Sequence, residues 1–162
     1  FGFVDEVTVA AVGINGKMNE LQAALGLLQL ELIDNQIERR AQIATRYRRE
    51  LAGVPGLDFL PEPQLASYNH AYMPVVINAQ APLSRDQLYE QLKTKLIFTR
   101  RYFYPLISEF PMYRQLPSSD LAKLPQAMAL SRQVLCLPMA AGLEAADQDR
   151  VIGAIRQEMG AT

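Results

Sequence analysis

The chain has 162 residues, enough for one domain with a real core, and its 49% hydrophobic and 20% charged content is that of an ordinary globule. A net charge of −1 gives no bulk field for nucleic acid or an anionic membrane. No signal peptide is visible and no apolar run approaches the ~20 residues that span a bilayer, so neither nucleic acid nor membrane is an expected partner.

Phe1-Gly2-Phe3 lacks a Met and reads like the middle of folded sequence, so residue 1 is not expected to be the native start. Gly13-Ile14-Asn15-Gly16-Lys17 then forms a turn on two glycines, with Asn15 and Lys17 held beside the start of a helix. Lys17 and the free N–H groups of a helix start suit an anionic group. Solvated polar residues at a helix start remain the plainer alternative for this segment.

From Met18 to Leu51 there is no proline, and Leu21, Leu25, Leu28 and Leu32 step along one helical face. Between Leu21 and Leu30 nothing is charged, and Ala23, Ala24 and Gly26 keep the other faces thin. Such a segment is apolar nearly all round and is expected between neighbours or in a subunit interface. A kink near Asp34-Asn35 is the expected break before a surface half. There Ile33, Ile37, Ala41, Ala44, Tyr47 and Leu51 form the apolar stripe, and Arg39, Arg40, Arg46, Arg48 and Arg49 read as a solvated face.

Gly53-Val54-Pro55-Gly56 turns the chain, and a short strand fits Leu57–Leu60. Tyr72 to Ile77 reads as a strand that Pro74 pushes toward an edge or a bulge. Ser84 caps a helix through Lys95, with Asp86 in its first turn and Lys93 and Lys95 in its last. A strand is predicted at Ile97-Phe98-Thr99, leading into Arg100-Arg101-Tyr102-Phe103-Tyr104-Pro105. Pro117 begins another helical stretch, and Pro125 suits the first turn of a helix to Arg132. Val134 to Leu137 reads as a buried strand, with Cys136 a small buried hydrophobe in it, and a helix over Ala145 to Met159 closes the chain. A single cysteine fits a reducing compartment, and a cytoplasmic location is expected. The order of elements predicts an α+β layer: a small, mostly antiparallel sheet covered by helices, preceded by a long helix acting as strut or dimer arm.

Neither a Walker loop nor a GxGxxG turn is present. The single histidine, His70, has no HxxH or cysteine partner, so no metal site is expected, and no nucleophile elbow exists. His70 reads as a hydrogen-bonded structural histidine leading into a strand, with ligand contact as the alternative. The Arg100–Tyr104 cluster offers forked donors to phosphate and ring faces edged with hydroxyls, the needs of a polyol phosphate or nucleotide-sugar. Strand alternation sends Arg100 and Arg101 to opposite sides, so at most one of them should face a ligand.

Together these pieces resemble the C-terminal portion of the DegT/StrS-type sugar aminotransferases. That family uses pyridoxal phosphate (PLP) and has the aspartate-aminotransferase, type I, fold. Gly13 to Gly26 is similar to its G-x-N-x-[KR]-M-s-e-x-q-A-A-x-G signature, and Arg39-Arg40 to Tyr47 resembles its R-R-x-x-A-x-x-Y. Phe1-Gly2-Phe3 resembles the end of its segment beyond the cofactor lysine. Ile97 to Pro105 is similar to its strand-plus-"Y-x-P" segment, Tyr113 to its later tyrosine, and Leu135-Cys136-Leu137-Pro138-Met139 to its closing L-x-L-P-M.

The resemblance implies that Asn15 reaches the cofactor phosphate of the other subunit, with Lys17 beside it, and that PLP is the cofactor. It implies nucleotide-sugar contacts at Arg100, Arg101, Tyr102 and Tyr104, to which His70 is added, and a homodimer through the Met18–Leu32 region. It places no catalytic residue in the chain, because the cofactor lysine lies upstream of Phe1. The expected organisation is residues 1–51 as opening segment, cofactor loop and interface helix, then 52–162 as a small α+β domain. The implied activity is amino transfer, with glutamate as donor, to a keto-deoxysugar nucleotide, by an enzyme of which these residues alone are inactive. The alternatives are a PLP-dependent sugar dehydratase of the same family and a stand-alone binding or regulatory domain.

Overall fold

A computed structural model describes residues 4–5, 8, 10–14, 16–63 and 68–161. Its contacts divide the chain into two compact units, Phe1–Asn35 and Gln36–Thr162. The first helix, α1 (Glu20–Glu50), belongs partly to each and is uninterrupted through Asp34-Asn35.

Within the first unit, α1 starts on a reciprocal cap. The Gln22 N–H donates to Asn19 Oδ1 at 2.9 Å, and the Asn19 N–H donates to Gln22 Oε1 at 3.4 Å. The Leu21, Leu25, Leu28 and Leu32 face is bare, each side chain being 54% to 84% exposed. On the same stretch Met18, Ala23, Gly26, Leu27, Leu30 and Ile33 line an open apolar groove of about 600 Å³.

The second unit is the α+β layer. Its strands are β1 (Leu57–Phe59), β2 (Met73–Ile77), β3 (Arg100–Arg101) and β4 (Val134–Leu137), and they form one antiparallel sheet in the order β1-β2-β4-β3. Its helices are the end of α1, α2 (Arg85–Thr94), α3 (Pro125–Gln133) and α4 (Ala145–Glu158). The register fixes two faces. Leu57 pairs with Ile77, Phe59 with Val75, Val75 with Leu135 and Met73 with Leu137. These residues join Ile43, Tyr47 and Leu51 of α1, Leu88 and Leu92 of α2, and Val151 and Ile155 of α4 in the core. The opposite face carries Asp58, Val76 and Val134 in one row and Pro74, Cys136 and Arg100 in the next.

Three predictions are corrected here. Pro74 lies in a central strand, not at an edge. It is tolerated because β1 ends with Phe59 opposite Val75, so no β1 residue pairs with Pro74. The strand predicted at Ile97–Thr99 lies instead at Arg100–Arg101. The Ile97 N–H donates back to Leu92 O at 2.9 Å and the Leu96 N–H to Lys93 O at 3.0 Å, a Schellman closure of α2 that withdraws these groups from the sheet. The arginines of α1 are not simply a wet face. Arg46 donates to Ala145 O at 3.2 Å and pairs with Asp149, while Arg48 donates to Leu60 O at 3.0 Å, pairs with Glu62 at 2.9 Å and covers the Phe59 ring. Both tie α1 to later parts of the chain.

The turn into β1 depends on Gly56. Its φ is +74°, and a Cβ there would meet the Ala81 backbone at 2.2 Å. No described helix is long and apolar enough to cross a membrane.

Candidate functional site

Of the residues singled out in the sequence, Arg100 and Tyr102 lie on the outer face of the sheet, and His70 lines a neighbouring cleft. Arg100 stands opposite Cys136, which stands opposite Pro74, so their side chains share a face that Tyr72 and Tyr102 extend by alternation. The Tyr72 and Tyr102 ring centroids are 4.9 Å apart, and Phe103 follows at 4.2 Å from Tyr102. Tyr68 meets His70 edge-on at 4.6 Å, and Tyr68, His70 and Tyr72 line one cleft of about 150 Å³ with Arg48 and Met73. His70 and Tyr102 are thus linked through Tyr72.

Arg100 is exposed, and its guanidinium makes no hydrogen bond or ion pair among the described residues. Burial raises the Tyr102 phenol above its usual value, reinforced by Tyr72, Cys136 and Tyr68, while the Arg100 charge opposes the shift. Burial also pushes the Cys136 thiol up to about 11, again against Arg100, so it is a packed thiol and no nucleophile. His70 and Phe103 both adopt left-handed backbone, with φ of +47° and +45°. Such conformations in non-glycine residues persist only where the surroundings enforce them. His70 meets the Tyr68 ring and has no side-chain hydrogen bond among the described residues.

Arg101 and Tyr104 belong to a different group of side chains. Arg101 turns toward α2, pairing with Asp86 at 2.8 Å and Glu90 at 3.7 Å and lying over the Tyr89 ring at 4.2 Å. Its Nε–H makes no directed hydrogen bond, so the Asp86 contact is one of charge. Arg85 is 2% exposed and donates through Nη1 to Ser131 O and Val134 O, each at 3.0 Å. It also pairs with Asp86 at 2.8 Å and sits over the Tyr104 ring at 4.8 Å. The two arginines thus lie on opposite sides of the sheet: among the described residues the Arg100 guanidinium has no ion pair, and the Arg101 guanidinium is engaged by Asp86 and Glu90.

Lys17 is exposed within the first unit, near the capped start of α1. Asn15 lies outside the described residues. Sequence reasoning weighed only His70 in its segment, although Tyr68-x-His70-x-Tyr72 shows an alternation that could have flagged both tyrosines. Arg85 and Asp86 gave no such signal, since they read as the ordinary first turn of a helix. No group of His, Cys, Asp and Glu able to hold a metal occurs among the described residues.

Comparison with known proteins gives this geometry its context. The chain is 48% identical over 139 residues to a dTDP-4-amino-4,6-dideoxy-D-glucose transaminase of Escherichia coli, covering 86% of this chain and 38% of the relative. It is 39% identical over 158 residues to the enzyme of the same name from Shigella dysenteriae, covering 97% and 42%. The crystal structure of DesV from S. venezuelae superimposes with a TM-score of 0.80 at 29% identity, over 99% of this chain and 42% of that one. The chain thus spans about two fifths of the length of these relatives. Residues 1–156 match the family as a whole. The chain belongs to the DegT/DnrJ/EryC1/StrS aminotransferase family.

Proposed function

We propose that this chain is the small domain and long helix of a homodimeric, PLP-dependent aminotransferase that moves an amino group from glutamate to a dTDP-linked keto-deoxysugar. The relatives from Escherichia coli and Shigella dysenteriae, transaminases of a dTDP-sugar, support the substrate class. The observation that carries the reading is the exposed Arg100, with no ion pair among the described residues, beside the Tyr72–Tyr102 ring pair. A guanidinium grips a diphosphate with forked, charge-assisted donors, and adjacent rings offer flat faces to a sugar or base. In this reading Arg100 binds phosphate, Tyr102 and Tyr72 flank the sugar, His70 supplies a hydrogen bond at its edge, and Tyr104 faces the nucleotide-sugar from the end of the segment.

The donor set fits a cofactor phosphate only in part. Lys17 supplies an exposed cation beside a helix start, the chemistry a phosphate requires, and Asn15 is the second residue assigned to hold it. When bound, PLP supplies the electron sink for amino transfer, while the protein orients it and holds the sugar. The lysine that carries it is assigned to the part of the enzyme upstream of Phe1, and Asn15 and Lys17 to the neighbouring subunit's pocket. Dimerisation through Met18–Leu32 would cover the bare leucines of α1.

The test is Arg100→Met in the complete enzyme, titrated with thymidine diphosphate. Loss of a charged hydrogen-bonding group predicts an affinity weaker by about 10- to 150-fold, from ~1.5–3 kcal/mol. Unchanged affinity would remove Arg100 from the site and with it the main support for this reading.

A further inference from the structure

The two guanidiniums nearest Tyr104 share one counterion. Asp86 Oδ1 lies 2.8 Å from Arg85 Nε and 2.8 Å from Arg101 Nε. Arg85 stands 4.8 Å from the Tyr104 ring centroid and Arg101 stands 5.9 Å from it. Arg85 is also pinned from behind by two backbone carbonyls at the end of α3 and the start of β4, so it cannot follow a moving loop. Arg101 is held by the Tyr89 ring on α2. The ring of Tyr104 is therefore contacted by one fixed cation and by a second held by Asp86 at 2.8 Å, with Glu90 a more distant second carboxylate at 3.7 Å.

We propose that Asp86 is a positioning residue: its single carboxylate fixes Arg101 relative to Arg85 and thereby sets the conformation of the Tyr102–Tyr104 turn. Two cations placed around one ring repel each other, and a carboxylate between them converts that repulsion into a stable triad. The backbone here needs such support, because Phe103 is left-handed and 64% exposed, with little burial of its own to hold it. Asp86 also lies in the first turn of α2, where any acid gains from the helix dipole. The two roles separate by experiment. The consequence for ligand binding rests on the reading of this turn as facing the nucleotide-sugar.

The measurement compares Asp86→Asn, Asp86→Glu, Tyr104→Ala and the Asn–Ala double variant in the complete enzyme. Two quantities are read: amide hydrogen exchange of Tyr102, Phe103, Tyr104 and Leu106 without ligand, and KM for the nucleotide-sugar against KM for the amino donor. Asp86→Asn is expected to speed exchange in the turn and raise the nucleotide-sugar KM about fivefold, leaving the donor KM unchanged, the size typical of coupled contacts. The double variant should be no worse than Tyr104→Ala. Asp86→Glu, which keeps the charge, should recover part of the loss. If Asp86→Asn lowers thermal stability but leaves exchange in the turn unaltered, Asp86 serves only the helix and the proposal fails. If exchange responds to Asp86 while Tyr104→Ala leaves the nucleotide-sugar KM unchanged, the positioning role stands and the substrate-facing reading of Tyr104 falls instead.

Discussion

At the scale of single residues, Leu96 shows a side chain kept against local preference. It occupies the position after the cap of α2 with a φ of +57°, where a Schellman closure ordinarily takes glycine. Gly53, Gly56 and Gly160 fill their own positive-φ sites in this chain with the expected residue. Leu96 is 70% exposed, so little packing offsets the clash between its Cβ and the backbone. Leu96→Gly therefore relieves strain in the folded state while loosening the unfolded chain. The balance favours the variant by about 0.5–1 kcal/mol. Thermal unfolding of the two proteins side by side would check this, and a lower midpoint for Leu96→Gly would show that the leucine makes contacts outweighing its strain. The contrast with Ile97 is informative, because that neighbour is 3% exposed and closes the same motif against fully buried Leu92.

At the scale of elements, α2 illustrates how much a short helix owes to its first turn. Ser84 Oγ accepts from the Gln87 N–H, and the Gln87 side chain accepts from the Ser84 N–H at 2.8 Å, a complete capping box. The helix carries Leu88 and Leu92 into the core and presents Asp86, Tyr89 and Glu90 to Arg101. Ser84→Ala should cost about 1 kcal/mol of stability and Ser84→Gly only a few tenths, read from urea unfolding midpoints. Equal effects of the two variants would show that the backbone, not the hydroxyl, makes the cap. This start was legible in the sequence, as were Pro125 opening α3 and the glycine turn after α1, because each rests on local chemistry within a few residues. The position of β3 was not. Ile97-Phe98-Thr99 has β-forming side chains, but the closure of α2 engages the Ile97 N–H and defers pairing to Arg100. Pro74 misled in the same way, since the end of β1 is invisible from the proline itself. In the candidate site, alternation correctly separated Arg100 from Arg101. The partner of Arg101 could not be read, because Asp86 meets it only after a helix and a turn have folded the chain back.

At the scale of the whole molecule, the two units contrast in how their apolar residues are placed. The core of the second unit is closed: Tyr47, Leu51, Val75, Leu88, Leu92, Leu135 and Ile155 have no solvent exposure. Tyr47 even donates its hydroxyl to Pro138 O at 3.2 Å, which lets a phenol lie in that interior. The first unit holds its leucines in the open, and a contiguous apolar surface on a helix marks a site of association. The composition of that helix implies covering on more than one side, since Leu25 and Leu28 lie on one face and Leu27 and Leu30 line the groove. Each leucine buried in an interface is worth about 1.5–3 kcal/mol, so a pair replaced by glutamate removes roughly 3–6 kcal/mol from each protomer before the cost of burying charge. Counted in both protomers, that loss of about 6–12 kcal/mol raises a dimer dissociation constant by about four to nine powers of ten, enough to make a nanomolar dimer monomeric at micromolar concentration. In the complete enzyme, sedimentation equilibrium of Leu25→Glu/Leu28→Glu and of Leu27→Glu/Leu30→Glu distinguishes the faces. The proposed interface requires that at least one pair sediment as a monomer, with circular dichroism unchanged. Two pairs that both remain dimeric would place the subunit contact elsewhere and leave the bare face of α1 to some other covering.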